Sequence, residues 1–135
     1  PPRSTQGVSS AASDVYKRQP QEQGQLDLAA RVHAVEPDFE NLAKLEGQGL
    51  IISSPSDDFD FVSRYFCPKY GINEDPVTGS AHCSLIPFWA ERLSKIELKA
   101  NQLSERGGRL ICKDNVDRVL IGGQAVTYSK GEFLL

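Results

Sequence analysis

Glu74 to Trp89 reads EDPVTGSAHCSLIPFW, a turn and a Gly-Ser step followed at once by a helix that is apolar on most of its faces. From Ser80 onward the apolar positions are Ala81, Cys83, Leu85, Ile86, Phe88, Trp89, Ala90 and Leu93, and they are not confined to one stripe. Such a helix is stable only where it is covered on most sides. The rest of the chain must therefore supply that cover. Pro87 lies inside the run and removes one backbone hydrogen bond, so a kink or an irregular first turn is expected. Cys83 reads as a small hydrophobe of the same buried surface.

The remaining patterns are mostly those of strands. GLIISS is a β-branched run of strand length, and DFDFVSRYF alternates aromatic and polar residues in its first half, as a half-buried strand does. ELKANQLS, RLICKD, DRVLIG and QAVTYSKGEFLL are further strand-like pieces, separated by Gly-Gly, Asp-Asn and Lys-Gly turns. Leu26 to Val35 reads as a strand leading into Pro37. PDFENLAKLEG reads as a short helix with Pro37 at its first position, Phe39, Leu42 and Leu45 on one face, and Gly47 at its exit. Many strands with two helices indicate an α+β domain, with the apolar helix inside a curved or closed sheet.

The totals exclude several function classes. A chain of 135 residues holds one domain with a real core. Its net charge of -3 and its scattered Lys and Arg residues give no electrostatic case for nucleic acid. No apolar run approaches the roughly 18 residues needed to cross a membrane, and no signal-peptide pattern opens the chain. Cys67, Cys83 and Cys112 are an odd number without CxxC spacing, which argues against a disulfide framework and a zinc site. No metal or cofactor is expected, and a reducing cytoplasm is the default compartment. Residues 1–20, PPRSTQGVSSAASDVYKRQP, lack periodicity and read as a disordered, non-native tail resembling translated adapter sequence. The expectation is a truncated reading frame whose natural beginning is missing, with residues 21–135 as its folded domain.

The chemistry lies at the start of the apolar helix. A helix N-terminus presents up to four unpaired N–H groups and about half a positive charge. Behind a bend at Asp75-Pro76 and Gly79, where glycine permits a geometry that a β-carbon would forbid, that end makes a small carboxylate site. The Thr78 and Ser80 hydroxyls would add donors, and Asp75 would hold the loop or exchange a proton. Asp, Thr and Ser before a helix are also ordinary caps, and the residues alone leave both readings open. His82 is structural or catalytic, Arg64 pairs with a local carboxylate, and Gly107-Gly108 is a turn or an anion cradle.

EDPVTGSAH followed by an apolar helix with Pro-aromatic-Trp resembles the signature of the phenazine-biosynthesis PhzF-like isomerase family. The resemblance extends through DFVSRYFCPKYGINEDPVTGSAHCSLIPFWAERLSK, NQLSERGG and VLIGGQAVTYSKGEFLL, covering roughly Leu26 to Leu135. It implies a diaminopimelate-epimerase-like fold of two lobes, each a curved, barrel-like sheet around a central, mostly buried helix, with the active site between them. This chain would be the C-terminal lobe. The resemblance further implies that backbone N–H groups at Gly79, Ser80 and Ala81 hold the substrate carboxylate. Asp75 and Ser80 are implied as polar catalytic residues, with Thr78 beside them. The main acid/base, a glutamate, belongs to the absent N-terminal lobe. The implied reaction is cofactor-free proton transfer next to a carboxylate on a small acid, with the fragment inactive alone.

Partners would be that substrate, the missing lobe and a possible second copy, but neither nucleic acid nor membrane. The alternatives are a stand-alone carboxylate-binding or interaction module, and a thiol-dependent racemase. The last needs a cysteine where this chain has Ser80.

Overall fold

A five-stranded sheet organises the computed structural model, which describes residues 28–133. The tail expected over residues 1–20 lies outside the described residues. Strands β1 (Leu50–Ser54) and β2 (Phe61–Phe66) form an antiparallel pair. Strand β2 then runs parallel to β3 (Glu97–Gln102), with Phe61 opposite Ala100 and Ser63 opposite Gln102. Strands β4 (Gly108–Asn115) and β5 (Arg118–Gly122) complete the sheet as antiparallel neighbours, in the order β1-β2-β3-β4-β5. Helices α1 (Leu28–His33), α2 (Phe39–Leu42) and α3 (Gly79–Leu93) make this a mixed α+β domain.

The parallel pairing explains the apolar helix. Parallel neighbours need a crossover of a dozen or more residues, usually helical, and α3 is that crossover between β2 and β3. Its buried residues, Ala81, His82, Leu85, Ile86, Trp89 and Ala90, share one face. Leu85, Ile86, Trp89 and Ala90 of that face meet Phe61 of β2, Leu98 and Ala100 of β3, and Leu110 and Cys112 of β4 in a single core. Inward residues alternate with outward ones along β3, where Leu98, Ala100 and Gln102 are buried while Glu97 and Lys99 are exposed.

Several expectations change here. Among the described residues the sheet is open, with β1 and β5 as its edges, and α3 covers one face of it. An exposed line runs along α3 through Ser80, Cys83, Pro87 and Glu91, so Cys83 faces solvent and is not a core residue. The helix continues through Pro87 on that exposed line, where water can satisfy the carbonyl that proline leaves without a helical partner.

Leu28–His33 is helical, not a strand. Carbonyls at and just beyond its end are held by Arg64 Nη1, which donates to the carbonyl oxygens of Val32, His33 and Val35 at 3.3, 2.8 and 2.7 Å. Helix α2 begins two residues later than Pro37 suggested, because Asp38 is its N-cap and accepts from the Asn41 N–H at 3.0 Å. Strand β2 starts at Phe61, and Phe61, Val62 and Ser63 are all buried, because α3 lies over one face and α1 packs on the strand too. The two-residue turn between β4 and β5 is Val116-Asp117, with Val116 at φ 61°. Residues 124–133, expected as a strand, have no strand partner and are exposed throughout.

Candidate functional site

The segment joining β2 to α3 returns beside the strand it leaves. Glu74 bridges to Phe66, the Asp75 N–H donates to the Tyr65 carbonyl at 3.0 Å, and Arg64 grips Glu74 with paired bonds of 2.7 and 2.8 Å. Arg64 therefore pairs with a local carboxylate, as its sequence position suggested. After Glu74 the chain bends at Pro76-Val77 and enters α3.

Thr78 is the N-cap of α3, yet its side chain caps nothing. Its hydroxyl donates to Asp75 Oδ2. The Thr78 N–H donates to Gln102 Oε1 at 2.8 Å, and Gln102 Nε2 donates to both Thr78 Oγ1 at 3.0 Å and the Asp75 carbonyl at 2.7 Å. The Thr78 carbonyl accepts from the His82 N–H at 3.3 Å and lies 2.8 Å from His82 Nδ1. Each polar group of this buried residue is thus occupied within the protein. The N–H groups of Gly79, Ser80 and Ala81 begin the helix with no carbonyl one turn back and no side-chain cap.

A second loop supports the first. Ser104 Oγ donates to the Pro76 carbonyl at 2.7 Å and accepts from the Gly107 N–H at 3.0 Å. Gly107 has φ 69°, the left-handed geometry that glycine tolerates. A β-carbon on Gly108 would lie 2.1 Å from Val77 Cγ2, so Gly108 is where the two loops press together. From Gly79 an open cleft of about 670 Å³ runs past Gly107 and Gly108 to Gly122 and Gly123. Its lining also includes Arg106 and Arg109 and no carboxylate, which gives it positive character.

The expected site residues are close together but unequal. Asp75, Thr78, Gly79, Ser80 and Ala81 share one loop and one helix turn. Ser80 and Gly79 are exposed there, whereas the Ala81 side chain is buried and only its backbone could serve a ligand. Gly79 differs from expectation: it is helical without positive φ, and a β-carbon added to it would meet nothing within 4 Å. Glycine at that position keeps the approach to the helix open rather than permitting a strained bend.

His82 is fully buried, with its ring 5.8 Å from that of Phe61. Facing a carbonyl, Nδ1 carries the proton; burial lowers the ring's pKa and keeps it neutral, while Nε2 has no partner. Burial also pushes the Cys112 thiol up to about 11 and raises that of Cys67, so neither is poised as a nucleophile. Among the described residues no group of three acidic, histidine or cysteine side chains could hold a metal, and no helix is long and apolar enough to cross a membrane. Sequence reading overlooked Gln102 and Ser104. The signal for Gln102 was a glutamine at the third inward position of β3, where the other two are apolar.

The sequence model of the phenazine biosynthesis-like protein family (PhzC-PhzF) matches residues 25–131. An uncharacterized isomerase of Pseudomonas aeruginosa is 50% identical over 110 residues, covering 82% of this chain and 42% of the relative. An uncharacterized isomerase of Halalkalibacterium halodurans is 47% identical over 113 residues, covering 82% and 43%. The crystal structure of a PhzF-family protein from Enterococcus faecalis aligns with a TM-score of 0.71 at 50% identity, covering 78% of this chain and 41% of that one. The chain therefore spans about two fifths of the length of the curated relatives it matches.

Proposed function

Because this chain belongs to the phenazine biosynthesis-like (PhzC-PhzF) protein family, we propose that it supplies the carboxylate-holding half of a cofactor-independent isomerase or epimerase. The observation that carries this reading is the uncapped start of α3. The one hydroxyl placed to cap it is bound to Asp75 instead, and the cleft at Gly79 is lined by arginines and glycines.

In this reading a small carboxylic acid lays its carboxylate on the N–H groups of Gly79, Ser80 and Ala81. These donors and the helix dipole stabilise the charge that spreads into the carboxylate when a neighbouring C–H proton leaves. The Ser80 hydroxyl adds a donor. Asp75, fixed through Oδ2 by Thr78, acts as the polar group that steers or relays the proton. The principal base, a glutamate by resemblance to the family, comes from the part of the family's length that this chain does not span. The open sheet and α3 then belong to one curved, barrel-like lobe of diaminopimelate-epimerase type, and the cleft closes against a second lobe.

Acetate titrated into the chain should shift the backbone amide resonances of Gly79 and Ser80. Gly79→Val places a branched side chain in open space above the helix start, so the variant should fold and lose the acetate response. In a full-length protein made by joining this chain to the remaining length of the P. aeruginosa relative, Gly79→Val should abolish solvent-deuterium uptake by substrate, and Ser80→Ala should weaken it. Full activity in a folded Gly79→Val protein would refute the assignment.

A further inference from the structure

The placement of Gln102 has a functional side. Its side chain is fully buried on β3, and it bonds three groups of the segment 24 to 27 residues earlier: the Thr78 N–H, the Thr78 hydroxyl oxygen and the Asp75 carbonyl. A threonine hydroxyl has one proton. When its oxygen accepts from an amide N–H, that proton remains free to donate elsewhere, and here it goes to Asp75 Oδ2. The same amide holds the oxygen away from the N–H groups of α3, which threonine at this position ordinarily caps.

We propose that Gln102 is the positioning residue of the site: through Thr78 it aims one carboxylate oxygen of Asp75 and keeps the α3 N-terminus free for an anion. The inference rests on the carboxylate-site reading above, but its central claim concerns Thr78 and can be read without a ligand. A purely structural Gln102 would only tether β3 to the loop, and its loss would loosen the start of α3. The positioning role demands the opposite local response. Once released, the Thr78 hydroxyl swings onto the helix and caps it.

Gln102→Met keeps the side chain's length while removing its donor and acceptor. In that variant amide hydrogen exchange at Ser80 and Ala81 should slow about fivefold, the equivalent of one N-cap hydrogen bond, and acetate affinity at the same amides should fall by a similar factor. Adding Thr78→Val removes the competing hydroxyl, so the double variant should regain both the wild-type exchange rate and acetate affinity; Thr78→Ser in place of Val should not. Unchanged or faster exchange in Gln102→Met would overturn the inference, as would a double variant that regains nothing. If wild type shows no acetate response but exchange slows in Gln102→Met, the carboxylate site fails while the control of Thr78 by Gln102 is supported. Should Gln102→Met not fold, Gln102→Leu gives the same decision. It too lacks both donor and acceptor, and should produce the same slowing at Ser80 and Ala81.

Discussion

Replacing Arg64 with leucine should be among the most damaging single changes outside the apolar core. Its guanidinium makes five hydrogen bonds, two to Glu74 and three to carbonyls at and beyond the end of α1, and lies 4.7 Å above the Phe66 ring. The Arg64 and Glu74 side chains are only 12% and 18% exposed, so this is a largely buried pair, unlike the exposed pair Lys113–Glu97. Removing the arginine leaves a carboxylate without its countercharge and takes a donor from three carbonyls, of which only that of Val32 keeps another, the Val35 N–H at 3.4 Å. Breaking a buried pair from one side costs about 3–5 kcal/mol, and the residual exposure places this one near 3. For a domain of this size that lowers Tm by roughly 12–20 °C. A six-residue helix has no independent stability, so α1 should lose its hydrogen-exchange protection well before the sheet does.

Thermal unfolding of Arg64→Leu, Glu74→Leu and the double variant gives the coupling directly. The double variant should be less damaged than the sum of the singles, because neither charge is then left alone. A loss below about 0.5 kcal/mol, the value of an exposed ion pair, would show that the pair does not hold α1 and would refute the reasoning.

Three further outcomes are expected. His82 has a lowered pKa in the folded state, so its contribution to stability is complete above about 6.5 and declines as pH falls below that value, where the unfolded chain takes the proton first; in His82→Asn the drop in Tm between pH 7 and 5 should shrink. Gly108→Ala should destabilise by about 1–3 kcal/mol in denaturant titration, because the stiff Val77 side chain has to move, and Val77→Ala should relieve most of that loss. Val116→Asn should raise stability by about 1 kcal/mol, since a β-branched residue at φ 61° is strained where asparagine is tolerated.

Local patterns carried much of the sheet. The strand-like pieces ELKANQLS and RLICKD, marked off by turn residues, placed β3 and β4, and the apolar run from Ala81 to Leu93 placed α3. Errors arose where a distant partner decides the outcome. Leu28–His33 buries only Val32 and shows no helical face, and its last carbonyl, that of His33, is held by an arginine 31 residues away in β2. Whether Thr78 caps the helix or leaves it open was undecidable from EDPVTGSAH, since the choice belongs to Gln102. Apolar content alone does not reveal that β2 and β3 run parallel, which makes α3 a crossover with one solvent-facing line. Residues 124–133 alternate like a strand, but alternation without a neighbouring strand makes no ladder.

The parallel junction of β2 and β3 also sets an order of assembly. Strands β1 and β2, and likewise β3, β4 and β5, are joined by short connections, so each group can zip locally within microseconds. Joining the two groups requires closing the long connection from Phe66 to Glu97, a step of high contact order that should dominate the folding time. Asp75, Thr78 and the start of α3 all lie inside that connection, and Gln102 reaches them only from the far side of the junction. Partly assembled chains therefore hold hairpins but not the ordered connection from Asp75 into α3. The appearance of the Gly79 and Ser80 signals in a refolding experiment would mark the last event on the pathway, not an early one.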